Sequence, residues 1–261
     1  MSSEPATTER DADHVQSLAR GLTVLRAFDA DHRALTLSDV SRLTGLTRAT
    51  SRRLLLTFEQ LGYMRCDGRR FELTPRVLDL GYAYVSSLHL SDLALPFMGE
   101  LSDRVQESVS VSVLDGHEIV YVARVPARRI MTMALALGSR LPALITSMGR
   151  VLVANLDDDE REHVLNSSHL TPRTHNTVTD PVRLRALLGD VRKQGYAIVD
   201  QELEDGVRSV AAPLRDRNGR AIAALNVGAN AGRVSLKELR RDILPLLLDS
   251  SCRISEQLAK R

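Results

Sequence analysis

Val15, Leu18, Leu22, Leu25 and Phe28 recur every three or four residues, the period of an amphipathic helix over residues 15–28. Gly21 sits in its middle and permits close packing there. Residues 30–35 read as a loop. Leu37, Val40 and Leu43 carry a second helix that starts at Thr36 and stops at Gly45, a residue type that often ends helices. Thr47 suits an N-cap and opens a third helix that runs to about Leu61. Its apolar side holds Leu54, Leu55, Phe58 and Leu61, with Ser51 a turn earlier. Strand-like pieces at 63–66 and 70–73 flank Asp67-Gly68, a strong hairpin signal. The order is helix, helix, tight turn, helix, hairpin.

Pro75 can start another helix, and residues 76–88 place Val77, Leu80, Tyr84 and Leu88 on one side. Leu90–Val105 continues helically with Pro96 near its middle, so this stretch reads as a linker helix leading into a second domain. Residues 108–114 alternate serine and valine, the period of a strand, and turn at Asp115-Gly116 into a partner at 119–125. Residues 130–137 form another apolar strand-like segment. Helices are predicted at 148–156, 158–165 and Pro181–Gln194. Strands are predicted at 196–203, 207–214 and 221–228, the last two joined by a turn at 217–219. A long amphipathic helix at 235–259 contains Pro245. The pattern is α+β, with helices packed on a largely antiparallel sheet. It divides into a polar, disordered 1–13, a first domain at 14–74, a linker helix at 75–88 and a second domain at 89–261. A chain of 261 residues accommodates two domains comfortably.

Composition changes this picture little. Hydrophobic residues make up 43% and charged residues 26%, an ordinary globular balance. No apolar run approaches the roughly 20 residues that span a bilayer. Residues 1–13 are polar with several acids and read as neither a secretory signal nor a transit peptide. Cys66 and Cys252 lie far apart, which points to reduced packing thiols and a cytoplasmic protein.

Charge distribution changes it more. Between Arg42 and Arg70 there are seven arginines against two acids, although the whole chain carries only +2. Such a stripe is the footprint of a phosphate-contacting surface, or else a solvated helix face beside a charged hairpin. The third helix separates the two readings. A helix in the major groove packs by one face and offers Arg and short polar side chains from its first turns. Thr47, Arg48, Ala49, Thr50 and Arg52 meet that need. Arg48 and Arg52 can pair with guanine, Thr47 and Thr50 can reach bases or phosphates, and Ala49 can approach a thymine methyl. Arg53 suits a phosphate, and Arg69 and Arg70 form a wing for backbone or minor groove. Thr36 and Ser38, at the start of the preceding helix, complete the candidate set. The expectation is a winged helix-turn-helix on double-stranded operator DNA.

Enzyme signatures are missing. There is no G-x-S-x-G elbow, phosphate-binding glycine loop or H-E-x-x-H. The seven histidines form no pair at metal-ligand spacing, and neither cysteine has a neighbouring one. No catalytic residue, metal or cofactor is expected. The remaining alternative is an oligomeric scaffold, which the apolar stripe at 77–88 and the long last helix would also suit.

The strings VQSLARGLTVLRAF and LTLSDVSRLTGLTRATSRRLLLTFEQLGY resemble the IclR family of bacterial regulators. LPALITSMGRVLVANL is similar to that family's segment over its effector pocket, and GYAIVDQELEDGVRSVAAPLRDRNGRAIAALNVGA to its central pocket strands. Within the family, TRATSRR, SVSVLDGHEIVYVARVPARRIM and VDQELEDGVRSVAAPLRDRNGR look most like the Pca/Pob subgroup, which governs protocatechuate and β-ketoadipate degradation. The resemblance implies a winged helix-turn-helix, a linker helix and a GAF-like α/β effector domain, in a homodimer or dimer of dimers that can act on RNA polymerase. It implies a small organic-acid effector and, by motif position, a pocket at Leu141, Ser147, Met148, Asp200, Ser209, Asn226 and Gly228. Ser147-Met148 departs from the small residues common there, which removes the ground for a glyoxylate- or pyruvate-type effector. A buried carboxylate needs donors or a cation. Arg124 and Arg208 are the candidates, and either can instead be solvated or paired, as Arg208 with Glu204. Ser209 and Asn226 lie in apolar strands and can face the pocket or solvent.

Overall fold

Local capping sets the helices of the N-terminal half. α1 spans Gln16–Arg26, α2 Leu37–Thr44 and α3 Arg48–Gln60. Thr36 and Asp39 form a reciprocal capping box at the start of α2. Gly45 ends α2 at φ +69°, a left-handed conformation that costs glycine nothing. Thr47 caps α3, its hydroxyl accepting from the Thr50 N–H. The computed structural model describes residues 14–29, 31–81, 90–127 and 135–260. They fall into two units, within Met1–Tyr84 and Val85–Arg261.

In the first unit, β1 (Ala34–Thr36), β2 (Met64–Cys66) and β3 (Arg70–Leu73) form an antiparallel sheet in the order β1-β3-β2. β1 corrects the loop expected at 30–35. Leu35 lies opposite Phe71 and both are buried, but three residues are too few to display a period. Val24, Val40 and Leu55 complete that core. The stripe expected on α1 divides: Phe28 is buried, whereas Leu18 is 63% exposed and Val15 and Leu22 are exposed beside it. Leu61, expected on the apolar face of α3, is exposed too. Gly21 does allow the close approach, since a Cβ there would lie 3.4 Å from the Phe58 ring. Pro75–Val77 is a 3₁₀ turn and residues 78–81 are helical; the rest of the expected 76–88 helix lies outside the described residues.

The second unit is built on one antiparallel sheet in the order β6-β5-β4-β9-β8-β7. Its strands are β4 (Ser108–Asp115), β5 (Glu118–Val125), β6 (Arg140–Pro142), β7 (Ala197–Asp200), β8 (Val207–Arg215) and β9 (Ala221–Asn230). One face packs on α4 (Leu90–Val105) and on the C-terminal helical run through Val109, Val111, Val210, Leu225 and Val227. The other face carries α5 (Ser147–Ala154), α6 (Asp158–Ser167) and α7 (Pro181–Gln194). The serine half of the β4 alternation is therefore not solvated: Ser110 and Ser112 are buried on the α5 side. Of the strand expected at 130–137, residues 130–134 lie outside the described residues, and 135–137 are not strand. The long last helix is interrupted. α8 (Leu236–Glu238) passes through a π-helical turn, Leu239–Ile243, into α9 (Leu244–Ala259). Pro245 has no N–H to give to an i−4 carbonyl, and a widened turn before it absorbs that defect. Cys66 packs against the first core as expected, but Cys252 is exposed on α9, where its thiol donates to Glu256 at 3.6 Å.

α5 is pressed into place. A Cβ on Gly149 would lie 2.1 Å from the Ala143 carbonyl oxygen, so only glycine fits. At the next residue, Arg150 and Glu202 form a bidentate ion pair with both N···O distances 2.6 Å, at 3% and 9% side-chain exposure. Arg150 Nε donates to the Leu144 carbonyl, and Glu202 Oε2 also accepts from the Val178 N–H. Removing one partner strands the other charge in the interior. Arg150→Met is therefore expected to cost about 3–5 kcal/mol in urea unfolding, and a loss below about 1 kcal/mol would contradict a tightly coupled pair.

Candidate functional site

The hydroxyls at the start of α2 and α3 are engaged locally. Thr36 Oγ1 donates to Asp39 at 2.7 Å, Thr47 Oγ1 to Thr50 Oγ1 at 2.9 Å, and Arg48 Nη1 to Ser38 Oγ at 2.9 Å. These bonds fix the first turn of α3 and steer the Arg48 guanidinium, and Ala49 stands exposed beside it. Two arginines of the basic stripe are neutralised by acids just outside it, Arg42 by Asp39 at 3.5 Å and Arg65 by Glu72 at 2.7 Å. Arg52, Arg53, Arg69 and Arg70 are exposed and have no acidic partner among the described residues. At the wing, Asp67 Oδ1 accepts from the Arg70 and Arg69 N–H groups at 2.7 and 2.9 Å, which hold its carboxyl below the usual range. Arg76 Nη1 donates to the Leu61 carbonyl at 2.8 Å and its guanidinium lies 5.4 Å from the Tyr63 ring centre, closing the C-terminus of α3.

The second unit encloses a cavity of about 60 Å³ between the sheet and the start of α5. Ser147, Met148, Ser209, Asn226, Gly228 and Arg124 line it, as the sequence led us to expect. Asn226 Nδ2 donates to Ser147 Oγ at 3.3 Å, so Asn226 faces inward rather than to solvent. Arg124 is half-buried and meets no acid among the described residues. Leu141 and Asp200 are not in the wall. Leu141 lies opposite Ile119 and joins the apolar core beneath α5. Asp200 follows Val199, which does line the cavity, so strand alternation turns Asp200 to the other face. There it pairs with Arg208 at 2.7 Å, and Arg208 also donates to the Val234 carbonyl. This corrects both the Arg208–Glu204 pairing and the view of Arg208 as a free counter-charge.

A family description for the IclR helix-turn-helix domain matches residues 17–68, and one for the bacterial transcriptional regulator IclR C-terminal domain matches residues 82–256. The chain belongs to the IclR family of transcription regulators. It is 44% identical to the Pca regulon regulatory protein of Pseudomonas putida over 249 residues, 95% of this chain and 86% of that one. It is 36% identical to the p-hydroxybenzoate hydroxylase transcriptional activator of Acinetobacter baylyi, covering 96% of this chain and 93% of that protein. The crystal structure of an IclR homologue from Microbacterium hydrocarbonoxydans, complexed with 4-hydroxybenzoate, superposes with a TM-score of 0.84 at 28% identity over 94% of this chain and all of that one. The subgroup resemblance read from the motifs and the helix-turn-helix plus α/β fold both stand.

Motif reading of the IclR pocket missed Ser110, Tyr121, Ile145 and Val199. Ser110 carried a partial signal, since the alternation at 108–114 put the serines on one face without saying that this face is buried. Tyr121 lies in regular register opposite Ser112, and it shares a face with Arg124 only because of the irregularity at Val122 between them. For the IclR reading head, exposure and freedom from acids separate Arg52 from the neutralised arginines. Arg52→Ala is expected to weaken specific operator binding by roughly 1–3 kcal/mol at fixed salt, and unchanged affinity in a gel shift would remove Arg52 from the base-reading surface.

Proposed function

We propose that this regulator controls genes of aromatic-acid catabolism, of the protocatechuate and β-ketoadipate type, in response to a small organic acid bound in the cavity. The observation that carries the effector class is Arg124, a half-buried cation with no acid beside it in a wall otherwise made of neutral groups. A charge held this way needs an anion to offset its desolvation. The relatives named for the Pca regulon and for p-hydroxybenzoate hydroxylase, and the 4-hydroxybenzoate complex, support an aromatic-acid pathway. On the DNA side, Arg48 and Arg52 read bases with Thr47, Ala49 and Thr50. Arg53, Arg69 and Arg70 take phosphates, with Thr36 and Ser38 supporting the turn. The domain limits proposed are 14–74, 75–88 and 89–261.

The working unit is a homodimer or a dimer of dimers, which holds two reading heads on one operator and acts on transcription by RNA polymerase in the cytoplasm. The exposed apolar face of Val15, Leu18, Leu22 and Leu61 supports association, since monomers seldom leave such a face open. Sedimentation as a monomer at micromolar concentration would argue against that assembly. No described helix is long and apolar enough to cross a membrane.

The cavity is smaller than the roughly 150 Å³ that holds benzene in an apolar core, so a ring enters only if the wall gives. Leu135 and Leu203, both only partly buried, are its least fixed parts. Protocatechuate, 4-hydroxybenzoate and β-ketoadipate are the effectors to screen by thermal shift. The correct one at 100 times its dissociation constant is expected to add about 2.7 kcal/mol to unfolding. No shift with any of the three, on folded protein, would count against the pathway.

A further inference from the structure

β5 is irregular at one point, and the irregularity decides what the cavity can hold. Val111 lies opposite Ala123 and Ser112 opposite Tyr121, so Val122 is an extra residue with no partner on β4. Two fixed contacts secure the bulge. The Val122 carbonyl accepts from Ser91 Oγ on α4 at 3.1 Å, and Tyr121 exchanges backbone hydrogen bonds with Ser139 and Gly138 at 3.0 and 2.8 Å. In a regular strand, residues three apart point to opposite faces. The bulge restores the phase, and Tyr121 and Arg124 both line the cavity.

We propose that Tyr121 and Arg124 form a two-donor clamp for the carboxylate of the effector, with the far end of the ligand turned toward Asn226 and Ser147. This rests on the organic-acid reading above. Tyr121 is only 6% exposed, and its hydroxyl has no hydrogen-bond partner among the described residues. A buried hydroxyl left open toward a cavity is a vacancy for a ligand acceptor. Burial pushes the phenol up to about 12, against a smaller opposing effect of Arg124, so at neutral pH it keeps its proton and donates. The sheet register sets the direction of the ligand. Arg124 lies opposite Ser110, and Ser110 opposite Asn226, a row across β5, β4 and β9. With strands about 4.8 Å apart, the row spans the length of a small hydroxy acid. Its Asn226 end meets Ser147 beneath α5 and carries only neutral side-chain groups.

Calorimetric titration of the full-length protein tests the clamp, using 4-hydroxybenzoate, protocatechuate, β-ketoadipate and the neutral analogue 4-hydroxybenzamide. Native protein is expected to bind at least one of the acids and to prefer 4-hydroxybenzoate over its amide. Tyr121→Phe keeps the ring and its packing, so its ligand-free melting should match native. It is expected to bind the preferred acid about tenfold more weakly, the equivalent of about 1.4 kcal/mol. Arg124→Gln is expected to lose more and to erase any preference for 4-hydroxybenzoate over its amide. Native binding of an acid with Tyr121→Phe unchanged would overturn the clamp alone. Native protein that binds none of the three acids would overturn the effector reading and the clamp with it.

Discussion

The buried Arg150–Glu202 pair holds the roof of the cavity together. Arg150 belongs to α5, whose first residues Ser147 and Met148 face the cavity, and Glu202 belongs to the turn that carries Leu203 into its wall. Opposite charges taken out of water are favourable only when every remaining donor and acceptor is also met. Here the Leu144 carbonyl accepts from Arg150 Nε and the Val178 N–H donates to Glu202 Oε2. The pair thereby ties α5 to the turn after β7, while Gly149 packs against the Ala143 backbone too closely for any side chain. The floor is fixed independently by sheet register, and the cavity is the space that the two constraints leave.

Charge is used differently in the two units. In the first, arginines that stabilise the fold are neutralised or capped, as Arg65 is by Glu72 and Arg76 by the Leu61 carbonyl. Those left over, Arg52, Arg53, Arg69 and Arg70, are exposed and form no ion pair with an acid among the described residues, which leaves them available to a polyanion. In the second, four arginines lie on strands of the sheet. Arg140 and Arg208 have acids, Arg215 is held by Asn155 and the Gly219 carbonyl, and Arg124 has no acid among the described residues. The uncompensated cation marks the ligand end of the molecule as the uncompensated stripe marks the DNA end.

Much of this was legible in the residues. Thr36, Gly45 and Thr47 announced the helix ends because capping is a local effect with few suitable residue types. Asp67-Gly68 announced the wing. The small strand β1 was not legible, because its partner β3 lies more than thirty residues away and its own three residues show no period. Asp200 was misread for a related reason. Motif position locates a residue along a strand, but one step of alternation decides which face it takes. The sequence reading offered Glu204 as the partner of Arg208, and only strand pairing, which sets Asp200 opposite Arg208, gives the partner found. Arg124 is the clearest case: the extra residue Val122 reverses the strand parity and brings Arg124 to the same face as Tyr121.

If an acid held in the cavity changes how the protein binds DNA, operator affinity at fixed salt must differ with and without saturating effector. Fluorescence anisotropy on the intergenic DNA beside the gene measures it. A change of roughly 5- to 150-fold is expected, the range of ordinary allosteric coupling, and it should vanish in Arg124→Gln at the same effector concentration. Equal affinities in the presence and absence of a ligand shown to bind would contradict it.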